Sequence, residues 1–120
     1  MIYKTILIDD EPLAISRLKR LLAKFDDTFL IIDQASNGQE GMEKIESLKP
    51  DLIFLDIEMP IMNGFEMLSN LAHIPMVIFC TAFDQYAIQA FEENSIDYLL
   101  KPVEKERLQK TVDKLKSRAS

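Results

Sequence analysis

Five short apolar runs, separated by amphipathic stretches, constrain this chain more than any other feature. The runs are Thr5–Ile8, Phe29–Ile32, Leu52–Leu55, Met76–Cys80 and Tyr98–Leu100. Each is apolar almost throughout and rich in β-branched or aromatic side chains, the pattern of a strand covered on both faces. The stretches between them repeat apolar residues at helical spacing. Ala14, Leu18, Leu21, Leu22 and Phe25 form one stripe behind Pro12, which suits a first helical turn. Asn37 and Glu40 have capping-box spacing ahead of Met42, Ile45 and Leu48, which are expected to face inward. A third helix opens at Asn63 or Gly64 and carries Phe65 and Leu68. A fourth runs from about Gln85 through Ala87, Ala90 and Phe91, and the last carries Leu108, Val112 and Leu115. Strand and helix therefore alternate along the whole chain. A sheet that needs cover on both faces, with one helix between successive strands, is parallel and sandwiched by helices, an α/β fold.

Size and charge narrow the functions. A chain of 120 residues holds one core, so a single domain over residues 1–120 is expected. No apolar run approaches the roughly 20 residues of a membrane-spanning helix, and Met1-Ile2-Tyr3-Lys4 does not open a signal peptide. Cys80 is the single cysteine, which excludes an internal disulfide and suits a cytoplasmic protein. With 14 basic and 20 acidic residues the net charge is −6. Such a surface repels nucleic acid, so any DNA contact made in gene control is expected from a domain outside this chain.

In parallel sheets of this kind, ligands bind beyond the carboxyl ends of the strands. Strand one ends at Asp9-Asp10-Glu11, strand three at Asp56 followed by Ile57-Glu58-Met59-Pro60, strand four at Thr81, and strand five at Lys101-Pro102. A parallel sheet brings all of these to one edge. Crowded carboxylates repel one another, and a bound cation with oxygen ligands, Mg2+ by the chemistry of the donors, relieves them. A carboxylate beside such an ion can act as nucleophile and become an aspartyl-phosphate. Lys101 offers a mobile positive charge and Thr81 a hydroxyl donor for phosphate oxygens. Each residue alone has an ordinary structural reading: a solvated acidic loop, a turn aspartate, a capping threonine, a surface lysine. Their convergence on one sheet edge is what points to phosphoryl transfer.

The segments Ile6–Pro12, Asp51–Gly64, Thr81-Ala82 and Lys101-Pro102 resemble the receiver domains of two-component response regulators. The likeness covers essentially the whole chain. Thr81–Ala87, Ala90–Glu92 and Asp97–Pro102 look more particularly like receivers of the LytR/AlgR (LytTR) type. The resemblance implies a flavodoxin-like, doubly wound (βα)5 fold with strand order 2-1-3-4-5. It implies phosphorylation of Asp56 by a sensor histidine kinase. It implies Mg2+ held by the side chains of Asp10 and Asp56 and the backbone carbonyl of Glu58, with Asp9 acting largely through water. It implies Lys101 paired with the phosphate before a cis proline, and a switch in which Thr81 moves toward the phosphoryl group and Tyr98 turns inward behind it. The implied output face is helix four, strand five and helix five, which commonly forms a homodimer. A receiver of this kind is a signalling switch rather than an enzyme acting on outside substrates. Glu58 and Phe83 would flank the path of a hydrolytic water.

Two other readings fit less well. Phosphatases of the haloacid dehalogenase type also use an Asp nucleophile, but here the paired acids precede Asp56 and Glu58 stands where a second acid would act on substrate. A flavin-binding module would need a phosphate cradle, and Asp9-Asp10-Glu11-Pro12 repels phosphate. His73, the lone histidine, reads as a surface residue and Cys80 as a small packed hydrophobe. Met59, Met62 and Met67 read as core or rim.

Overall fold

A computed structural model describes residues 1–119; Ser120, the last residue of the expected domain, lies outside the described residues. Five strands, β1 (Tyr3–Ile8), β2 (Phe29–Ala35), β3 (Leu52–Leu55), β4 (Met76–Thr81) and β5 (Asp97–Leu100), form one sheet of order β2-β1-β3-β4-β5 with every pairing parallel. The helices are α1 (Pro12–Leu22), α2 (Gly38–Leu48), α3 (Gly64–Ser69), α4 (Ala87–Glu92) and α5 (Lys105–Ala119). The flavodoxin-like topology is thus the one expected.

Strand alternation divides the core in two. On β3, Leu52 and Phe54 join the cluster under α1 and α5, with Leu18, Leu22, Leu108, Val112 and Leu115. Ile53 and Leu55 point the other way, into the cluster with Ile45, Phe65 and Leu68. A strand buried on both faces has no polar side to show, which is why β3 reads as an unbroken apolar run.

Several helical details differ from expectation. On α1 the buried seam runs through Ile15, Leu18, Leu21 and Leu22, with Ala14 only half-buried, and Phe25 packs from a separate 3-10 turn over Ala23–Phe25. Asn37 caps α2 by accepting from the Glu40 N–H, but Glu40 returns its bond to the N–H of Ser36, one residue earlier than a capping box requires. Leu48 is 42% exposed, because it closes α2 just before Lys49 leaves the helix in the left-handed conformation with φ 50°. Phe91 is 81% exposed and Ile88 78%, so short α4 buries only Ala90 and turns an apolar side to solvent. The full capping box is at α3, where Asn63 and Glu66 exchange bonds of 2.9 Å each.

Candidate functional site

Register brings the expected residues to one edge. Ile8 pairs with Leu55, Leu55 with Phe79, and Thr81 with Leu100, so the residues that follow these positions leave the sheet together. The Asp56 N–H donates to the Ile8 carbonyl (3.0 Å) and the Lys101 N–H to the Thr81 carbonyl (2.8 Å), which extends the ladder into the site. The Lys101-Pro102 bond is cis, as the resemblance implies.

Asp56 is 5% exposed and its Oδ1 accepts from the next N–H, of Ile57, at 2.8 Å. Helix α3 starts hard against it: a Cβ on Gly64 would lie 2.5 Å from the Asp56 carbonyl oxygen, so only glycine fits there. Lys101 Nζ stands among three carboxylates, 2.7 Å from Asp9, 3.0 Å from Glu11 and 3.3 Å from Asp56. The carboxylates of Asp9, Glu11 and Asp56 offer oxygens all within 4.8 Å of one another.

Burial raises the Asp9 carboxyl above its ordinary range despite the opposing pull of Lys101. Burial, reinforced by repulsion from Asp9, does the same for Asp56. Burial would depress the Lys101 ammonium, but the surrounding carboxylates more than reverse this and hold it charged. The donor set for a cation is therefore hard oxygen, crowded and short of positive charge, which fits Mg2+. Burial pushes the nearby Cys80 thiol up to about 12, so it stays protonated and offers no soft ligand.

Of the acids singled out in the sequence, Asp9 and Asp56 converge and Asp10 does not join them. The chain bends at Asp10, just past the end of β1, and the Asp9 carboxylate accepts from the Glu11 N–H at 2.9 Å. Asp10 instead lines a polar cleft of about 520 Å³ together with Glu58, Met59, Pro60 and Tyr86. Glu58 is exposed, and its Oε2 accepts from the Tyr86 hydroxyl at 2.9 Å. Thr81 is fully buried, its Oγ1 accepting from the Phe83 N–H at 3.4 Å. Tyr98 is half-buried over Phe79, and its hydroxyl donates to the Phe83 carbonyl. The two expected switch residues thus hold the same residue, Thr81 at the Phe83 N–H and Tyr98 at the Phe83 carbonyl. His73 is exposed and makes no part of the site.

Residues 5–113 match the response regulator receiver domain family. The chain belongs to that family. An uncharacterised response regulatory protein of Vibrio cholerae serotype O1 is 55% identical over 112 residues, spanning 92% of this chain and 47% of the relative. The transcriptional regulatory protein BtsR of Escherichia coli K12 is 45% identical over 119 residues, 98% of this chain and 49% of BtsR. This receiver domain thus spans about half the length of the curated relatives it matches. Among solved structures, the response regulatory domain of mrkE from Klebsiella pneumoniae superposes with a TM-score of 0.84 at 32% identity, covering 96% of each chain.

Receiver domains interact with histidine kinases and bind Mg2+ at an acidic pocket, and in this chain Asp9, Glu11 and Asp56 form an acidic cluster at the carboxyl edge of the sheet. Sequence reasoning missed Glu11 as a third partner of Lys101 and Tyr86 as a partner of Glu58. The position of Glu11 beside Asp9, at the same sheet edge as Lys101, could have revealed the first. No local pattern reveals the second, because residues 58 and 86 meet only through the fold.

Proposed function

We propose that this receiver domain takes a phosphoryl group onto Asp56 from a phosphohistidine on a sensor histidine kinase. The observation that carries this reading is a buried carboxylate at the end of the central strand, faced by a second acid and held by a fixed ammonium. An Asp56 oxygen bonds to phosphorus, the phosphorus–nitrogen bond breaks, and the imidazole keeps the electron pair. Lys101 holds one phosphoryl oxygen, and Thr81 donates its hydroxyl to another after leaving the Phe83 N–H. Asp9 and Asp56, with the backbone carbonyl of Glu58, would hold Mg2+, and Asp10 would join them only by turning its side chain in from the cleft it lines. When bound, Mg2+ neutralises charge on the phosphoryl oxygens. The domain catalyses only its own phosphorylation and dephosphorylation and has no outside substrate. Intact-mass measurement with and without Mg2+ tests the reading: one Mg2+-dependent phosphoryl adduct is expected on the wild-type domain and none on Asp56→Asn.

The added charge, about −1.5 to −2, draws Thr81 inward, and Phe83 then loses the side-chain partner of its N–H while Tyr98 still holds its carbonyl. Tyr98 turns toward the vacated space and carries the change to α4, β5 and α5. The outward apolar side chains Ile88, Phe91 and Leu100 support a homodimer through this face in the phosphorylated state. Sedimentation should show a monomer before phosphorylation and a dimer after; an unchanged coefficient at full phosphorylation would remove the dimer from the scheme. The LytR/AlgR-type resemblance and the likeness to BtsR, a transcriptional regulator, support a DNA-binding output domain in the full-length protein. A cytoplasmic site of action fits a kinase partner of this kind, and among the described residues no helix is long and apolar enough to cross a membrane.

A further inference from the structure

The Tyr86 hydroxyl belongs to no part of the chemistry above, yet it joins the two loops that flank Asp56. One loop runs from Asp56 to Asn63 and carries Glu58; the other runs from Ala82 to Tyr86 and carries Phe83. Tyr86 donates to Glu58 Oε2 at 2.9 Å and is the direct hydrogen bond found between Glu58 and the second loop among the described residues. Its ring is fixed independently of that bond. It meets Phe65 of α3 edge-on at 6.0 Å and 60°, and Phe83 at 6.4 Å and 80°. The hydroxyl is therefore presented to Glu58 by a packed ring, at the wall of the cleft that Asp10, Glu58 and Pro60 share.

We propose that Tyr86 is a positioning residue that sets the lifetime of the phosphorylated state by holding Glu58 across the mouth of the site. The inference rests on the reading of Asp56 as phosphoacceptor. In hydrolysis, a water oxygen bonds to phosphorus in line with the Asp56 oxygen. The bond from phosphorus to that carboxylate oxygen breaks, Asp56 keeps the electron pair, and the proton released by water passes to solvent. The attacking water must come from the side of phosphorus away from Asp56, through the mouth between the two loops. The Glu58–Tyr86 bridge, with Phe83 edge-on behind it, narrows that approach. It also occupies a carboxylate that could otherwise accept the proton of the water. Loss of the hydroxyl removes both restraints, and both changes speed hydrolysis.

The test follows loss of the phosphoryl adduct by intact mass after excess acetyl phosphate is removed, in Mg2+ buffer. Wild type, Tyr86→Phe, Glu58→Ala and the double variant are compared. Tyr86→Phe keeps the ring contacts and should shorten the lifetime about two- to tenfold, the factor that a hydrogen bond of ordinary net strength gives in a rate. In the Glu58→Ala background the same substitution should change nothing, since the bond is already gone. A merely structural role for the ring would not depend on Glu58. An unchanged or longer lifetime in Tyr86→Phe, or the same acceleration in both backgrounds, overturns the inference and leaves the phosphoacceptor reading intact. Absence of any Mg2+-dependent adduct on the wild-type domain overturns both.

Discussion

Replacing Lys101 by methionine should slow phosphoryl uptake from acetyl phosphate by about 10²-fold, the usual loss when one preorganised charge-stabilising group is removed. Methionine nearly matches the length of lysine and removes the charge, so the contrast isolates the ammonium. That ammonium stands 2.7 Å from Asp9, 3.0 Å from Glu11 and 3.3 Å from Asp56, and its side chain is 17% exposed. It is the cation that the structure gives to three converging carboxylates. Without it, an incoming phosphoryl group meets negative charge on every side and loses a partner for its developing charge. Time-resolved intact mass at fixed Mg2+ measures the rate. A rate within about threefold of wild type, roughly 0.7 kcal/mol by transition-state arithmetic, would show that the ammonium does not serve the transfer.

The second large effect lies away from the site. Asp97 opens β5 with its side chain 4% exposed. It accepts from both terminal nitrogens of Arg107 (2.9 and 2.7 Å), from the Thr111 hydroxyl (2.7 Å) and from Lys114 (3.0 Å), all on α5. Its own strand adds the Tyr98 N–H at 2.9 Å. Asp97→Ala strips the partner from a partly exposed guanidinium and from a buried hydroxyl together, and should cost about 2–3 kcal/mol of stability. Urea unfolding measures it, and a loss below about 1 kcal/mol would mean that water replaces the network at no cost.

The pH dependence has a definite sign. Burial alone would raise the Asp97 carboxyl, but Arg107, Thr111, Lys114 and the Tyr98 N–H outweigh it and hold the carboxyl well below its ordinary range. A depressed folded value means that the contribution is fully present above the unfolded value, about 3.9, and is lost as pH falls through the folded value. Wild-type stability should therefore fall steeply below about pH 4, and Asp97→Asn should flatten that acid limb. Because Tyr98 follows Asp97, the same network anchors the strand that carries Tyr98.

Much of this was legible in the sequence because the inner strands β3 and β4 are buried on both faces and carry no polar face, while the edge strands β2 and β5 are only partly covered. Apolar runs located the five strands, though β2 continues past Ile32 through Asp33, Gln34 and Ala35, and the residues after the runs of β1, β3, β4 and β5 placed Asp9, Asp56, Thr81 and Lys101 together. Side-chain direction beyond the strand ends was less legible. Asp9, Asp10 and Glu11 form one acidic run in sequence, yet only Asp9 and Glu11 cluster with Asp56, because the chain bends at Asp10. Leu48 and Phe91 fit helical spacing but lie outward, one because its helix ends there and the other because short α4 has one covered side. Asp97 looked like any acid before a strand. Its partners Arg107, Thr111 and Lys114 stand at successive intervals of four and three on one helix face, a signal that has meaning only once β5 is known to lie beside α5. Tyr86 and Glu58 meet across 28 residues and leave no local trace.

The central claim is that Asp56 accepts a phosphoryl group with the help of Mg2+. Intact-mass spectrometry after incubation with acetyl phosphate, with and without Mg2+, on wild type and Asp56→Asn tests it most directly. One phosphoryl adduct that needs Mg2+ on the wild-type domain, and none on Asp56→Asn, is the predicted result. An adduct of equal yield on Asp56→Asn, or none on the wild-type domain with acetyl phosphate or with a phosphorylated kinase as donor, would contradict it.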